Sequence, residues 1–478
     1  MKRTLLLTAL LCAGCTVGPD YEKPDVAVPP TFREAPNAAA ASDADLAQWW
    51  MQFNDPELQS LVARALKSNL DLQTAASRVR EARQQEIIEG AAGLPQVNAS
   101  GNHLHFHSNG DPLAGLTGQP PAPGGTDIKL YNVGFDATWE IDVFGGVRRS
   151  VEQARASTEA AIWEMHDGEV SLTAEVATDY LELRTQQTRL AILADEEKRE
   201  RDTLSLVSAR AKTGFVTQLD VNQQVSQAES TAAQIPPLQA QMRASEHAIA
   251  ILLGALPDAL ATELENTAPP PATPAAVPPG LPSDLLRRRP DVREAERKLA
   301  AATAGIGVAV ADLYPKFNLL GGASFTSNHL DNLLSTGNLG EFGLLQITWP
   351  VFAGGKIHAN IDAKKEETAQ AYLAYQKSVL GAVKDAEDAL TREATDLVRI
   401  QALDRAARSA QSSALIARQQ YAAGFVTYIN VLQTQATDLS TRDQLAQGQL
   451  ALATDQVSLY KALGGGWQER ASGPTAAK

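Results

Sequence analysis

The chain repeats itself over roughly two hundred residues, and this duplication constrains its fold more than any other feature. The turn Gly214-Phe215-Val216-Thr217 recurs 210 positions later as Gly424-Phe425-Val426-Thr427. Earlier in each copy the spacing is 220, as from Asp71 to Asp291. The first copy therefore holds ten extra residues, and its Pro- and Gly-rich stretch 110–125 predicts a surface loop at that place.

Each copy has the pattern helix, strand, loop, strand, long helix, turn and helix. From Tyr131 to Val143 every odd position is apolar or Ala and every even position is polar or Gly. This alternation predicts a strand of thirteen residues, roughly 40 Å long at about 3.3 Å per residue, which suffices for a tilted membrane strand. The second copy repeats the pattern more weakly at 317–325 and 345–351.

Two strands per copy give four per chain, and four strands cannot close a barrel in lipid. The chain must therefore associate. A trimer would supply twelve strands, while a dimer or a tetramer remains open on this argument alone. The helix from about Arg149 to Lys212 would be roughly 95 Å long at about 1.5 Å per residue, which is excessive for a globular domain and fits the wall of a tube.

The N-terminus has the features of a secretory signal. Lys2 and Arg3 precede an apolar run that is too short for a transmembrane helix and that ends at Cys15. Residues 12–15 resemble a bacterial lipobox, in which the cysteine is acylated, although Cys12 occupies a position where an aliphatic residue is usual. We predict lipid attachment at Cys15; the alternative is an ordinary signal peptide with an incidental cysteine.

Composition excludes several function classes. The net charge of −14 makes the chain a poor binder of nucleic acid. We find no nucleophile elbow, phosphate loop or zinc-protease motif, so we expect no enzyme, no catalytic residue and no cofactor. His103, His105 and His107 alternate along a strand and could bind a metal; we favour polar surface residues and predict no metal site.

The domain boundaries follow from these elements. We predict a lipoprotein signal peptide at 1–14, an extended N-terminal segment at 15–50, the first repeat at 51–265, a Pro-rich linker at 266–283, the second repeat at 284–468 and a flexible tail at 469–478.

Short motifs in a fixed order along this doubled pattern carry a family resemblance. The sequence resembles the TolC/OprM-type outer membrane factors, specifically the NodT-like lipoproteins of tripartite RND efflux systems. The resemblance covers nearly all of the mature chain. Its carriers, besides the two GFVT turns, are Cys15–Tyr21, Trp49-Trp50 with Phe53, Asp55 and Pro56, Gln234–Leu238, and Arg288–Asp291 with Ala295-Glu296.

The resemblance implies a mainly α protein with membrane β-strands. It implies an internally duplicated chain whose homotrimer forms a 12-stranded outer-membrane β-barrel continued by a long periplasmic α-helical barrel. It further implies docking to a periplasmic adaptor and an inner-membrane pump, and passive conduction of small compounds to the exterior. The alternatives are the exit duct of a type I protein secretion system, or a lipid-tethered periplasmic coiled coil.

The two GFVT turns are the predicted sites of contact with the adaptor. Each glycine can end a helix, each threonine can cap the next one, and a stable helical hairpin is a sufficient local explanation. Apolar side chains at both corresponding tips nevertheless favour a contact surface. The predicted contact residues are Gly214, Phe215, Val216, Thr217, Gly424, Phe425, Val426 and Thr427.

The predicted aperture lies near the same turns. Its candidate residues are Asp220 in the first copy and Tyr421, Asn430 and Gln433 in the second. The family that the chain resembles often carries carboxylates in the second hairpin, where this chain has amides. We therefore expect a tip closed by packing and amide contacts, with weak blockade by cations.

Overall fold

The computed structural model describes residues 16–35, 46–108, 126–274 and 277–467. The predicted signal peptide, the lipidation site Cys15, the inserted loop and the C-terminal tail all lie outside these ranges.

Both copies follow the same order of elements, apart from one break in the first copy. The first copy consists of α1 (Pro56–Ser68), α2 (Leu70–Ala91), β1 (Gln96–Ser108), β2 (Thr126–Ile141), α3 (Gly146–Lys212), α4 (Gln218–Ala232), α5 (Ile235–Leu252) and the short α6 (Ala261–Leu264). The second copy consists of α7 (Pro282–Arg288), α8 (Pro290–Ala311), β3 (Lys316–Ser327), β4 (Leu339–Thr348), α9 (Lys356–Ala423) and α10 (Tyr428–Ala462). Short 3-10 turns occur at Trp49–Phe53, Pro257–Leu260 and Thr336–Asn338.

The break in the first copy follows from its prolines. The region that is the single helix α10 in the second copy is divided into α4 and α5 in the first. Pro236 and Pro237 occupy the beginning of α5, where the missing backbone N–H groups would have no intrahelical partner in any case.

The four strands form one antiparallel sheet in the order β1-β2-β3-β4. In its register Val97 is opposite Ala137, Phe135 is opposite Ala323, and Phe325 is opposite Leu339. Strands β1 and β4 are the two edges of this sheet. All ten residues of β4 are exposed on the single chain, so its apolar side chains are left for lipid or another copy to cover.

The strand ends differ from the sequence-based expectation. The predicted strand Tyr131–Val143 is wrong at both ends, since β2 begins at Thr126 and ends at Ile141. At the next residue, the Asp142 carboxylate accepts hydrogen bonds from the backbone N–H and Nε of Arg148, which turns the chain toward α3. Strand β4 likewise ends before Trp349, which alternation had placed in the strand, because Pro350 follows and has no N–H to donate.

The chain divides into two compact units, each built from both copies. The strand unit consists of Met1–Pro24, Arg80–Ala160 and Glu296–Leu373, and the hairpin unit of Asp25–Val79, Ala161–Ala295 and Ala374–Lys478.

In the strand unit the N-terminal segment is held by polar contacts. The buried Arg149 guanidinium donates to the Val17 carbonyl oxygen at 3.0 Å and to the Asp20 carboxylate at 2.6 Å. Tyr21 donates to Glu296 at 3.2 Å. Gly18 has φ +87°, and a Cβ there would lie 2.5 Å from the Cα of another glycine, which explains why this position takes no side chain.

The hairpin unit has an aromatic core next to a helix cap. Trp49 is fully buried and stacks on Tyr460 with ring centroids 5.2 Å apart. Asp55 caps α1 by accepting from the backbone N–H of Glu57 and Leu58, and it also accepts from the Tyr180 hydroxyl at 2.9 Å. Within the described ranges no single helix is long and apolar enough to cross a bilayer, though one sharply bent pair, Gln218–Leu252 with Pro257–Leu264, reaches that threshold jointly.

Candidate functional site: the two hairpin tips

Both GFVT turns end a long helix in the same way. Gly214 and Gly424 have φ of +77° and +83°, in the left-handed region where a side chain would be strained. The following N–H reaches back across the turn, from Phe215 to the Arg210 carbonyl at 3.0 Å and from Phe425 to the Gln420 carbonyl at 2.9 Å. These bonds satisfy carbonyl groups that the end of the helix leaves free, so the predicted glycine terminators are confirmed.

The two turns begin the next helix in different ways. In the first copy Thr217 and Asp220 form a capping box, and the Asp220 carboxylate accepts from both the backbone N–H and the hydroxyl of Thr217 at 2.9 Å. In the second copy Thr427 stands at the cap position, but its hydroxyl accepts from the Asn430 side-chain amide at 3.0 Å. The predicted side-chain cap at Thr427 is therefore wrong, because an amide at this position donates to the hydroxyl.

In each turn the phenylalanine is exposed and the valine that follows it is half-buried. Phe215 is 83% exposed and Phe425 is 82% exposed. Val216 and Val426 are half-buried and pack against the cluster described next, so the expectation that both residues of each pair are exposed is wrong for the valines. One phenylalanine per hairpin is thus available for contact.

Behind the turns lies an apolar cluster, which we call the tip cluster. Its buried members are Val207, Tyr421, Tyr428 and Val431. The two tyrosine rings have centroids 5.7 Å apart. Tyr428 donates its hydroxyl to the buried side chain of Gln224, and burial raises the pKa of this tyrosine. Both copies contribute to the cluster, so it couples the two hairpins of one chain.

Arg210 ties the first hairpin to the end of α9. Its guanidinium donates to the Tyr421 carbonyl oxygen at 2.9 Å and to the Ala422 carbonyl oxygen at 2.7 Å. The same group lies 4.7 Å from the centre of the Tyr421 ring. A cation at these last carbonyls is favourable because the C-terminal end of a helix carries partial negative charge.

The four aperture candidates fall into two groups. Asn430 and Gln433 are exposed, and Asp220 is partly exposed within its capping box. Tyr421 is only 3% exposed, so its ring is packed inside the chain.

Sequence reasoning missed Arg210, Gln224 and Tyr428. A signal was present, because the second copy has tyrosines at 421 and 428, where the matching positions of the first copy are Ala211 and Gln218. A bulky residue that is present in only one of two aligned copies indicates a packing contact that the other copy lacks.

The histidines of β1 are each engaged along the sheet. His103 stacks on Tyr131 with centroids 4.5 Å apart, and His105 Nε2 lies 2.8 Å from the Asp127 carboxylate. Among the residues that the structure describes, no group of three or more His, Cys, Asp or Glu side chains is arranged to hold a metal ion.

Comparison with known proteins agrees with this geometry. The family model described as "Outer membrane efflux protein" matches residues 61–255 and 281–465. Nodulation protein T of Rhizobium leguminosarum bv. viciae is 32% identical over 463 residues, which cover 96% of this chain and 92% of that protein. The pyoverdine export outer membrane protein OpmQ of Pseudomonas aeruginosa is 33% identical over 489 residues, covering 99% and 98%.

A solved structure of the outer-membrane channel OprN has a TM-score of 0.85 and 32% identity, and the match covers 95% of this chain and all of that one. The proteins that the chain resembles are named as channels and export components rather than as enzymes. These matches confirm the predicted fold class, the internal duplication and the outer-membrane location. The chain therefore belongs to the outer membrane efflux protein family and is an efflux channel of the outer membrane.

Proposed function

We propose that the channel works as a homotrimer, anchored by lipid at Cys15, and passively conducts small compounds outward from a periplasmic adaptor and an inner-membrane pump. The edge strands β1 and β4 support association, because each presents backbone groups that a neighbouring copy can pair. The relative named for pyoverdine export favours a small compound over a secreted protein as the cargo.

The single observation that carries the adaptor contact is the exposure of Phe215 and Phe425 at corresponding tips. Each phenylalanine extends from a turn that glycine geometry and the tip cluster hold in place. A large apolar side chain on a rigid support is the kind of residue that dominates the free energy of a protein interface. The other residues of the two GFVT turns provide the surrounding contact surface.

Photo-cross-linking in the native host tests this contact. A benzoylphenylalanine at position 215 or 425 should cross-link to a periplasmic adaptor, and Phe215→Ser with Phe425→Ser should lower the resistance of the host to exported compounds. Leu330, in the loop between β3 and β4, is 66% exposed and provides the matched control position. Equal cross-linking from position 330, or none from either tip, would contradict the proposal.

We further propose an aperture closed mainly by packing and amide contacts, with Asn430 and Gln433 presenting amides at its surface and Asp220 engaged in its cap. Asn430→Asp with Gln433→Asp should increase the block of channel current by divalent cations added on the periplasmic side, because carboxylates attract them. Strong block of the wild-type channel that Asp220→Asn removes would assign the acidic ring to the first copy instead.

A further inference from the structure

A second polar site lies inside the hairpin unit, between α3, α9 and α10. The Arg199 guanidinium bridges two carboxylates there, with Nη1 at 3.3 Å from Glu196 Oε2 and at 3.3 Å from Asp438 Oδ2. Glu196 and Asp438 come from different copies, and their side chains are only 1% and 2% exposed.

The bridge leaves three buried acceptors without hydrogen bonds, and one nearby donor, Arg442 Nη1, also makes none. Glu196 Oε1 and Asp438 Oδ1 make no hydrogen bond, and neither does the side-chain oxygen of the buried Gln435. All three residues line one cavity of about 440 Å³. A buried oxygen without a partner is costly, so three that line one cavity indicate that a donor belongs there.

The surrounding charges are mixed in sign. On α3, Asp195 and Glu200 flank Glu196, and the Glu200 carboxylate accepts from Gln227 and Thr231 of α4. On α10, Arg442 lies 3.5 Å from Asp195 and 4.0 Å from Asp438. Helix α9 contributes Arg408, which pairs with Asp404 of its own helix, and Arg418.

Burial is the largest influence on Glu196. It raises the pKa of this carboxyl to about 7, with Glu200 and Asp438 raising it further and Arg199 and Arg442 opposing the rise. A carboxyl that is protonated near neutral pH is itself a donor, in a cavity whose other unpaired oxygens can only accept.

We propose that Glu196, which shares the Arg199 guanidinium with Asp438, binds a proton where α3 packs against α10 and releases it as the periplasmic pH rises. The proton adds a donor to the site. It also removes one of three negative charges, on Asp195, Glu196 and Asp438, that the two guanidinium groups of Arg199 and Arg442 balance. Its release leaves all three carboxylates ionised and weakens the contact between the two helices. The proposal stands independently of the adaptor contact.

The site is connected to the tip cluster through hydrogen bonds. One turn along α3 from Glu196, the Glu200 carbonyl oxygen accepts from Gln224 at 2.8 Å. Gln224 in turn accepts from the Tyr428 hydroxyl. The bridge therefore lies one helical turn from the residues that hold the second hairpin.

The sign of the pH dependence follows from the raised pKa. Because folded Glu196 binds its proton more tightly than an unfolded glutamate, the stabilisation is fully present below the ordinary range of a glutamate carboxyl. It is lost as the pH rises through about 7.

Infrared titration of the full-length protein in detergent tests the proton site. Burial also raises the pKa of Asp179, to about 6, so this carboxyl should titrate in the wild type and in Glu196→Gln alike. Between about pH 6 and about pH 8 the wild type should lose the absorption of one more protonated carboxyl per chain than Glu196→Gln does. Asp438→Asn should shift the midpoint to lower pH because it removes a like charge. Glu229→Gln, at an exposed position of α4, is the matched control and should titrate as the wild type does.

Thermal unfolding provides the second measurement. The unfolding midpoint of the wild type should fall more across the same pH range than that of Glu196→Gln. Identical infrared titrations of wild type and Glu196→Gln would overturn the proton site. A titration that Glu196→Gln removes without any change in the pH dependence of unfolding would overturn its coupling to helix packing.

Discussion

The two hairpin tips have the same backbone conformation, but different contacts stabilise them. Each turn has a left-handed glycine and an exposed phenylalanine, at Gly214-Phe215 and Gly424-Phe425. The first turn is stabilised locally, by the capping box of Thr217 with Asp220. The second is stabilised by tertiary contacts, because its tyrosines are buried in the tip cluster.

This difference shows how a duplicated chain becomes asymmetric without changing its fold. Tyr428 corresponds to the exposed Gln218 of the first copy, and Tyr421 corresponds to the half-buried Ala211. The backbone turn requires only glycine and is kept in both copies. Behind the turns there is one shared tip cluster, and most of its buried residues come from the second copy. We therefore expect the stability of the second hairpin to depend on contacts with the first copy more than the stability of the first hairpin depends on the second.

The largest expected effect is that of Tyr428→Ala. Removing a buried aromatic side chain should lower the free energy of local opening around the second turn by about 3–5 kcal/mol. Hydrogen exchange followed by mass spectrometry measures this as faster exchange in peptides that cover residues 421–431. Gln218→Ala, at the matching exposed position, should change the free energy of local opening at the first turn by less than about 0.5 kcal/mol. Equal effects of the two substitutions would remove the proposed asymmetry.

We expect an effect of intermediate size when the glycine of either turn is replaced, and we expect the loss of stability to be equal in the two copies. Gly214→Ala and Gly424→Ala each force an L-residue into the left-handed region, at a cost of about 1–2 kcal/mol. An added Cβ meets no atom within 4 Å at either position, so backbone strain is the only contribution. Exchange at each turn measures the two costs, and a difference larger than about 1 kcal/mol would show that the backbones are not equivalent.

We expect the smallest effect when the threonine at the start of α4 or α10 is replaced, and its size should differ between the two helices. Thr217→Ala removes the hydroxyl of a capping box and should destabilise the start of α4 by about 1 kcal/mol. Thr427→Ala removes a hydroxyl that accepts from a side chain only, and it should cost less. Exchange of the first-turn amides of α4 and α10 measures both, and a larger loss at α10 would contradict the assignment.

The sequence predicted the features that depend on local rules. The duplication, the cap at Thr217 and the left-handed glycines follow from spacing and backbone preference, and the structure agrees. The strand ends were missed because Asp142 and Pro350 act through hydrogen bonding rather than through alternation.

The proton site at Glu196, beside Asp438, could not have been predicted from the sequence. Glu196 and Asp438 correspond to alanines, Ala406 and Ala228, in the opposite copies, so neither belongs to the repeated pattern. They meet only because α3 packs against α10, and their burial depends on that contact. A charge on a helix is ordinarily solvated, and nothing in the surrounding sequence marks these two as exceptions.

Single-channel recording shows whether copies of this chain form a channel in lipid without an adaptor or a pump. The purified full-length protein is added to one side of a planar lipid bilayer, and the current is recorded at fixed voltage. We expect discrete current steps of equal size. We also expect larger or longer openings for Tyr428→Ala than for Gln218→Ala, because only the former loosens the tip cluster. A correctly folded protein that inserts without producing current steps would contradict this expectation.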